Sequence, residues 1–172
     1  MNQLRVAGYA KLAKYWEKDR NGAITFHDSY FREKFSDPSR WCFIRSFVDI
    51  TGAKEIRRRP QMLHLLDYCS SSRVDLIFTQ TKGYLAANTD EFCFLIRFLS
   101  EIAPNVTIQT EDRVYHLDTL ENSDHQKEEL LRMVDRYCSV NPEHYEKWKE
   151  QVRKGIEKQR ESTGYDGKQQ IR

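Results

Sequence analysis

The chain has 172 residues, 39% of them hydrophobic and 31% charged, which suits one soluble domain with a proper core. Its 28 basic and 26 acidic residues leave a net charge of +2, so bulk charge neither demands nucleic acid nor excludes it. No apolar run approaches the ~20 residues of a membrane span, and the N-terminus enters a strand pattern at once without a signal-peptide signature, so the expected location is the cytoplasm.

Leu4 to Tyr9 reads as a short buried strand. The polar stretch from Lys14 to Gly22 follows as a loop, and Asp28 is placed to cap a helix over Tyr30, Phe31 and Phe35 that stops near Pro38. Trp41 to Val48 is β-branched and aromatic enough for a second strand. A loop from Asp49 to Arg59 carries Gly52 and the run Arg57-Arg58-Arg59, which suits either a phosphate or plain solvation. Pro60 fits the first position of a helix whose apolar face is Met62, Leu63, Leu65, Leu66 and Cys69. Val74 to Phe78 is a continuous apolar run of strand length, expected at the centre of a parallel sheet. After a loop from Thr79 to Ala87, Asn88 to Glu101 is helical, Pro104 ends it, and Val106 to Ile108 begins a fourth strand. The alternation predicts an α/β fold: a mostly parallel sheet of four to five strands flanked by helices. Such sheets bind ligands beyond the carboxyl ends of their strands, where the loops at 11–22, 49–59 and 79–87 lie.

The last third changes character. Gln126 to Cys138 is a helix with Leu130, Leu131, Val134 and Cys138 on one face. Asn141-Pro142-Glu143 opens a long helix that runs to about Glu161. Its stripe of Tyr145, Trp148, Val152 and Ile156 is too narrow for a core helix and too apolar for free solvent, which predicts cover by another chain, as a dimer interface, or by a neighbouring helix. Its cations alternate with glutamates, as in Glu143–Lys147 and Glu150–Lys154, so that face is either solvated or laid against DNA. The expected organisation is a catalytic-type domain over 1–140, a C-terminal helix over 141–161 and a disordered tail over 162–172. Cys42, Cys69, Cys93 and Cys138 form no CxxC pair and read as reduced structural thiols. His27, His64, His116, His125 and His144 show no ligand spacing, so no metal and no cofactor are expected.

Three stretches resemble the serine recombinases of the resolvase/invertase family. Tyr9-Ala10-Lys11-Leu12-Ala13 lies where that family has Tyr-Ala-Arg-x-Ser. Asp49-Ile50-Thr51-Gly52, then Arg59-Pro60-Gln61, resembles its Asp-x-x-Ser-Gly loop leading to Arg-Pro at a helix start. Asp75-Leu76-Ile77-Phe78-Thr79-Gln80, then Tyr84-Leu85-Ala86-Ala87-Asn88-Thr89, resembles Asp-Leu-Ile-x-Thr-Lys followed by Arg-Phe-x-Arg-Asn-Thr. The order of elements matches to about residue 161, with Trp148, Gly155 and Ile156 at similar places in the long helix.

The resemblance implies a resolvase-like fold and a site at Lys11, Ala13, Arg59, Tyr84 and Ala87. In that family a serine hydroxyl attacks the phosphodiester while arginines stabilise the charged transition state. Ala13 offers no hydroxyl, Lys11 lacks the planar fork of arginine, and Tyr84 and Ala87 stand where two arginines are expected. Tyr9, Thr81 and Tyr84 are the conceivable substitute nucleophiles. The expectation is a catalytically inactive recombinase-like domain that binds DNA weakly through backbone contacts or pairs with an active recombinase, as a homodimer or a heteromer. Its DNA-contact candidates are Lys11, Arg59, Arg153, Lys154, Lys158 and Arg160. The rival readings are an active site-specific recombinase with an altered site, and an interaction module that uses the dimer surface without DNA.

Overall fold

Period-two alternation in the first strand separates the chain's apolar residues into two cores. In the computed structural model, which describes residues 2–111 and 123–162, β1 (Leu4–Leu12) sends Val6, Ala10 and Leu12 to one face and Ala7 and Tyr9 to the other. A strand buried on both sides belongs at the centre of a parallel sheet. The order is β2-β1-β3-β4, with β2 (Trp41–Ile50), β3 (Leu76–Thr79) and β4 (Thr107–Thr110), every neighbouring pair parallel. Asp75 pins β3 to β1: its carboxylate accepts from the Arg5 backbone N–H at 2.8 Å and from the guanidinium at 2.9 and 3.0 Å. The Arg5 hydrogen bonds hold this carboxyl below the ordinary carboxylate range, despite partial burial.

One face is covered by α1 (Arg20–Lys34), which packs Ala23 and Phe31 against Val6, Val48 and Phe78. Gly8 is required beneath it, because a Cβ there would lie 2.4 Å from the Phe31 ring. This helix begins earlier than the sequence suggests. Lys14–Asp19 is a short 3-10 helix rather than a loop, and Asp19 is the cap, accepting from the Gly22 N–H at 3.2 Å. Asp28 sits inside α1 and bonds instead to Arg32 at 2.8 Å and the Ser46 hydroxyl at 2.7 Å. The buried positions Ala23, His27 and Phe31 recur every four residues, and that sparse spacing is masked by the polar residues between them.

The other face carries α2 (Pro60–Ser70), the single turn α3 (Lys82–Leu85), α4 (Thr89–Ile102), α5 (Ser123–Ser139) and α6 (Pro142–Ser162). The α6 stripe is not an uncovered interface. Tyr145 and Val152 are fully buried, Trp148 and Ile156 nearly so, within the chain's own core. Trp148 lies against the rings of Phe94 and Phe98 at 5.7 and 5.8 Å, and its indole N–H donates to the buried Glu91 carboxylate at 3.1 Å. The expected dimer interface at Tyr145, Trp148, Val152 and Ile156 is therefore corrected to an intrachain contact. A narrow stripe suffices because bulky aromatics on α4 fill the space that α6 leaves. The 163–172 part of the expected disordered tail lies outside the described residues, and Ser162 ends α6.

His27 carries a pH dependence. Burial pulls it below its ordinary value of 6.5, and its Nδ1 lies 3.2 Å from the Ala23 carbonyl. The unfolded chain then binds a proton more readily than the folded one, so the stability His27 permits is complete above pH 6.5 and falls as pH drops towards the folded value. Urea midpoints should be lower at acidic pH than at neutral pH, and His27→Phe should flatten that slope. An unchanged slope in the variant would remove His27 from the account.

Candidate functional site at the strand carboxyl ends

The carboxyl ends of β1 and β2 run side by side, with Lys11 opposite Asp49 and Leu12 opposite Ile50. Asp49 is buried and works on three partners at once. It accepts from the Tyr9 hydroxyl at 2.9 Å and from the backbone N–H groups of Gln61 and Met62 at 2.9 Å each, so it caps the first turn of α2 from outside the helix. Burial raises its carboxyl above the ordinary value, against the pull of those donors and of Arg59. Tyr9 has no exposed surface, and burial together with the Asp49 charge pushes its hydroxyl well above the usual tyrosine value. That removes Tyr9 as a substitute nucleophile. Thr81 is equally occupied, capping α3 by accepting from the Gly83 N–H at 3.3 Å.

Arg59 is the centre of the arrangement, and it faces inward. Its side chain is wholly buried, and its guanidinium donates to four backbone carbonyls: Tyr84 and Leu85 at 3.0 Å, Lys54 at 3.2 Å and Ala53 at 3.3 Å. These bonds tie the loop after β2 to the turn after β3. No phosphate reaches a guanidinium so enclosed, so Arg59 is corrected from a DNA-contact candidate to a structural clamp. Glu91 supports the same loop from behind, accepting from the Ile56 N–H at 2.9 Å as well as from Trp148.

Lys11 is half-buried beside this clamp. Burial and the Arg59 charge lower it from the ordinary lysine value, Lys54 adds to that, and Asp49 opposes it. Among the described residues its ammonium has no ion pair. Ala13 is exposed immediately beyond β1, and Tyr84 is half-buried with its carbonyl on Arg59. Ala87 is exposed but borders a different depression, a groove of about 820 Å³ floored by Ala86, Phe92, Cys93, Met133 and Tyr137. A smaller cleft of about 420 Å³ opens between Lys14 and Glu17 on one side and Ile50 to Ala53 with Arg58 on the other. Lys11, Asp49, Arg59 and Tyr84 thus share one neighbourhood, and Ala87 faces another.

The α6 candidates divide. Arg160 ties α6 to α2, with its Nε 3.0 Å from the buried Asp67 carboxylate. Lys154 pairs with Glu150 at 3.1 Å, an exposed pair that contributes little to stability. Arg153 and Lys158 are exposed without an ion pair among the described residues. The thiols are free and mostly buried; burial raises Cys69 to about 12 and Cys93 to about 11, which makes them inert. Among the described residues no three ligand-type side chains cluster as for a metal ion, and no helix is long and apolar enough to cross a membrane.

No protein-family model matches the chain, and no curated protein matches it in sequence. Solved structures do. The N-terminal catalytic domain of TP901-1 integrase superposes with a TM-score of 0.58 at 13% identity, over 81% of this chain and 97% of that one. The chain has the fold of a serine recombinase catalytic domain. The C-terminal catalytic domain of ISC1926 TnpA, an IS607-like serine recombinase, aligns over 79% of this chain and 99% of that one at 15% identity, with a TM-score of 0.48. At such identities the likeness concerns the backbone path. What this recombinase fold does here has to come from its own side chains.

The wiring of this region is not legible in the sequence. The turned-in Arg59 and the Asp49 cap were missed as structural devices, although Asp49 lies eleven residues before Pro60 in a recognisable motif. Glu91 was missed altogether; its only signal is an acid on an otherwise apolar helix face.

Proposed function

We propose that the chain is a non-cleaving recombinase-fold module that holds DNA through its phosphate backbone. The observation that carries this reading is the engagement of Arg59 by four backbone carbonyls. Cleavage by the recombinase route needs a hydroxyl aligned with the phosphate and cations aimed at the charge that develops on it. Ala13 supplies no hydroxyl, Arg59 points away, and Tyr84 and Ala87 bring no charge. Lys11, Lys14, Lys54 and Arg58 remain as cations around the same strand ends, suited to backbone contact without chemistry. A second reading, pairing with a cleaving recombinase, is favoured by the exposed Met133, Tyr137 and Val140 along and just past the end of α5.

The test looks for a protein–DNA adduct on denaturing gels and measures duplex binding against salt. The wild type should bind duplex with an affinity that falls as salt rises, and should form no adduct. Losing one transition-state donor typically costs on the order of a hundredfold or more in rate, so Ala13→Ser alone should also form none. The combined Lys11→Arg, Ala13→Ser, Tyr84→Arg and Ala87→Arg protein is the positive comparison. An adduct from the unmodified chain would overturn the non-cleaving reading, and an absence of salt-dependent duplex binding would overturn the DNA reading.

A further inference from the structure

The 3-10 helix Lys14–Asp19 follows β1 directly and forms one wall of the 420 Å³ cleft. With three residues per turn, its side chains fall into rows of i and i+3. The row that lines the cleft is Lys14 and Glu17. The next row is Tyr15 with Lys18, whose ammonium lies 4.8 Å from the ring centre, and the third carries Trp16. Both rings face solvent, Tyr15 at 66% and Trp16 at 47% exposure, and they meet edge to face at 5.8 Å. Large aromatics left so open do nothing for this fold's core.

The cleft on the Lys14–Glu17 side of the same helix is cationic in its free charges. Glu17, the acid in its lining, is paired with Arg20 at 2.8 Å, while Lys14 has no ion pair among the described residues. Arg58 lies opposite, loosely held to Glu55 at 3.5 Å, and Lys54 is exposed on the same loop. Between them Gly52 has nothing within 4 Å of where a Cβ would stand, so backbone is open to a ligand there. A cationic trough on one side of this short helix, with exposed rings on its other two rows, matches a chain of phosphates whose bases are free to swing round and stack. Duplex DNA offers the phosphates but keeps its bases stacked on one another.

The geometry points to a single-stranded DNA site, with phosphates seated between Lys14, Arg58 and the Gly52 loop and unpaired bases stacked on Tyr15 and Trp16. This rests on the DNA-binding reading above and narrows it to an unpaired stretch. Stacking on an aromatic side chain is sequence-tolerant and adds a salt-independent part to a salt-dependent affinity.

Fluorescence anisotropy of labelled oligothymidylate of about 15 nucleotides, against a duplex of equal length at the same salt, tests it. The single strand should bind more tightly and quench tryptophan emission. Trp16→Ala should abolish most of that quenching and weaken single-strand binding by roughly five- to a hundredfold, with duplex binding unchanged. Trp16→Phe, which keeps a stacking face, should retain most of the affinity. Tyr15→Ala should weaken the single strand in the same selective way, whereas Lys14→Ala should weaken both forms and reduce the salt slope by about one. Both aromatics are exposed, so the variants should melt with the wild type. Duplex bound as well as single strand, or aromatic variants without effect, would overturn the stacking site and leave backbone binding standing. Binding to neither would overturn both readings.

Discussion

Arg59→Ala should lower the melting temperature by roughly 10 °C. The variant deletes a buried guanidinium and strands four carbonyls, those of Ala53, Lys54, Tyr84 and Leu85, that have it as a donor. An unsatisfied buried polar group costs about 1–3 kcal/mol, and water entering the vacated space offsets part of the sum, so a net loss of about 4 kcal/mol is expected. Arg59→Lys should recover little, because one ammonium cannot span acceptors on two loops that a planar fork reaches together. Thermal denaturation followed by circular dichroism reads the effect directly. The comparison with DNA binding is the sharper part. A phosphate-gripping arginine would leave stability intact and lose affinity when truncated; this one should do the reverse. An Arg59→Ala protein that melts with the wild type would remove the clamp from the account.

How far the sequence revealed this molecule differs between its backbone and its site. Strand alternation was legible because β1 and β3 are buried, and burial leaves uninterrupted apolar residues such as Leu76, Ile77 and Phe78. The start of α1 was hidden, since only Ala23, His27 and Phe31 among its residues are buried. The α6 stripe is legible, but which cover it takes, another chain or a neighbouring helix, is not. Its width depends on Phe94 and Phe98, some fifty residues away, and on Gly155, where a Cβ would already stand 3.0 Å from Leu63. The direction of Arg59 was the least legible feature of all. The motif places an arginine before Pro60, but its acceptors come from two loops about thirty residues apart, and no local pattern encodes a shared donor.

The stripe on α6 yields the other large effect. Trp148→Glu should abolish cooperative unfolding rather than dissolve a dimer. Truncating a buried tryptophan costs about 3–5 kcal/mol through lost contacts and the cavity left behind, a large share of the stability of a domain this size. The glutamate adds a second penalty. It would set a new carboxylate beside Glu91, which already uses both oxygens on the Trp148 indole and one on the Ile56 N–H. Two like charges in a buried space cannot both remain ionised without cost, and the displaced Glu91 would release the Ile56 turn that leads into Arg59. The damage should therefore spread from α6 to the strand-end site. Ile156→Val, which removes one methylene from the same row, should cost only about 1 kcal/mol and keep a sharp transition. Size-exclusion chromatography with light scattering, run beside near-ultraviolet circular dichroism, separates the alternatives. Loss of the near-ultraviolet signal is the expected result for Trp148→Glu. A Trp148→Glu protein that stays folded, melts as the wild type does and merely halves in mass would return this stripe to the role of an interface between chains.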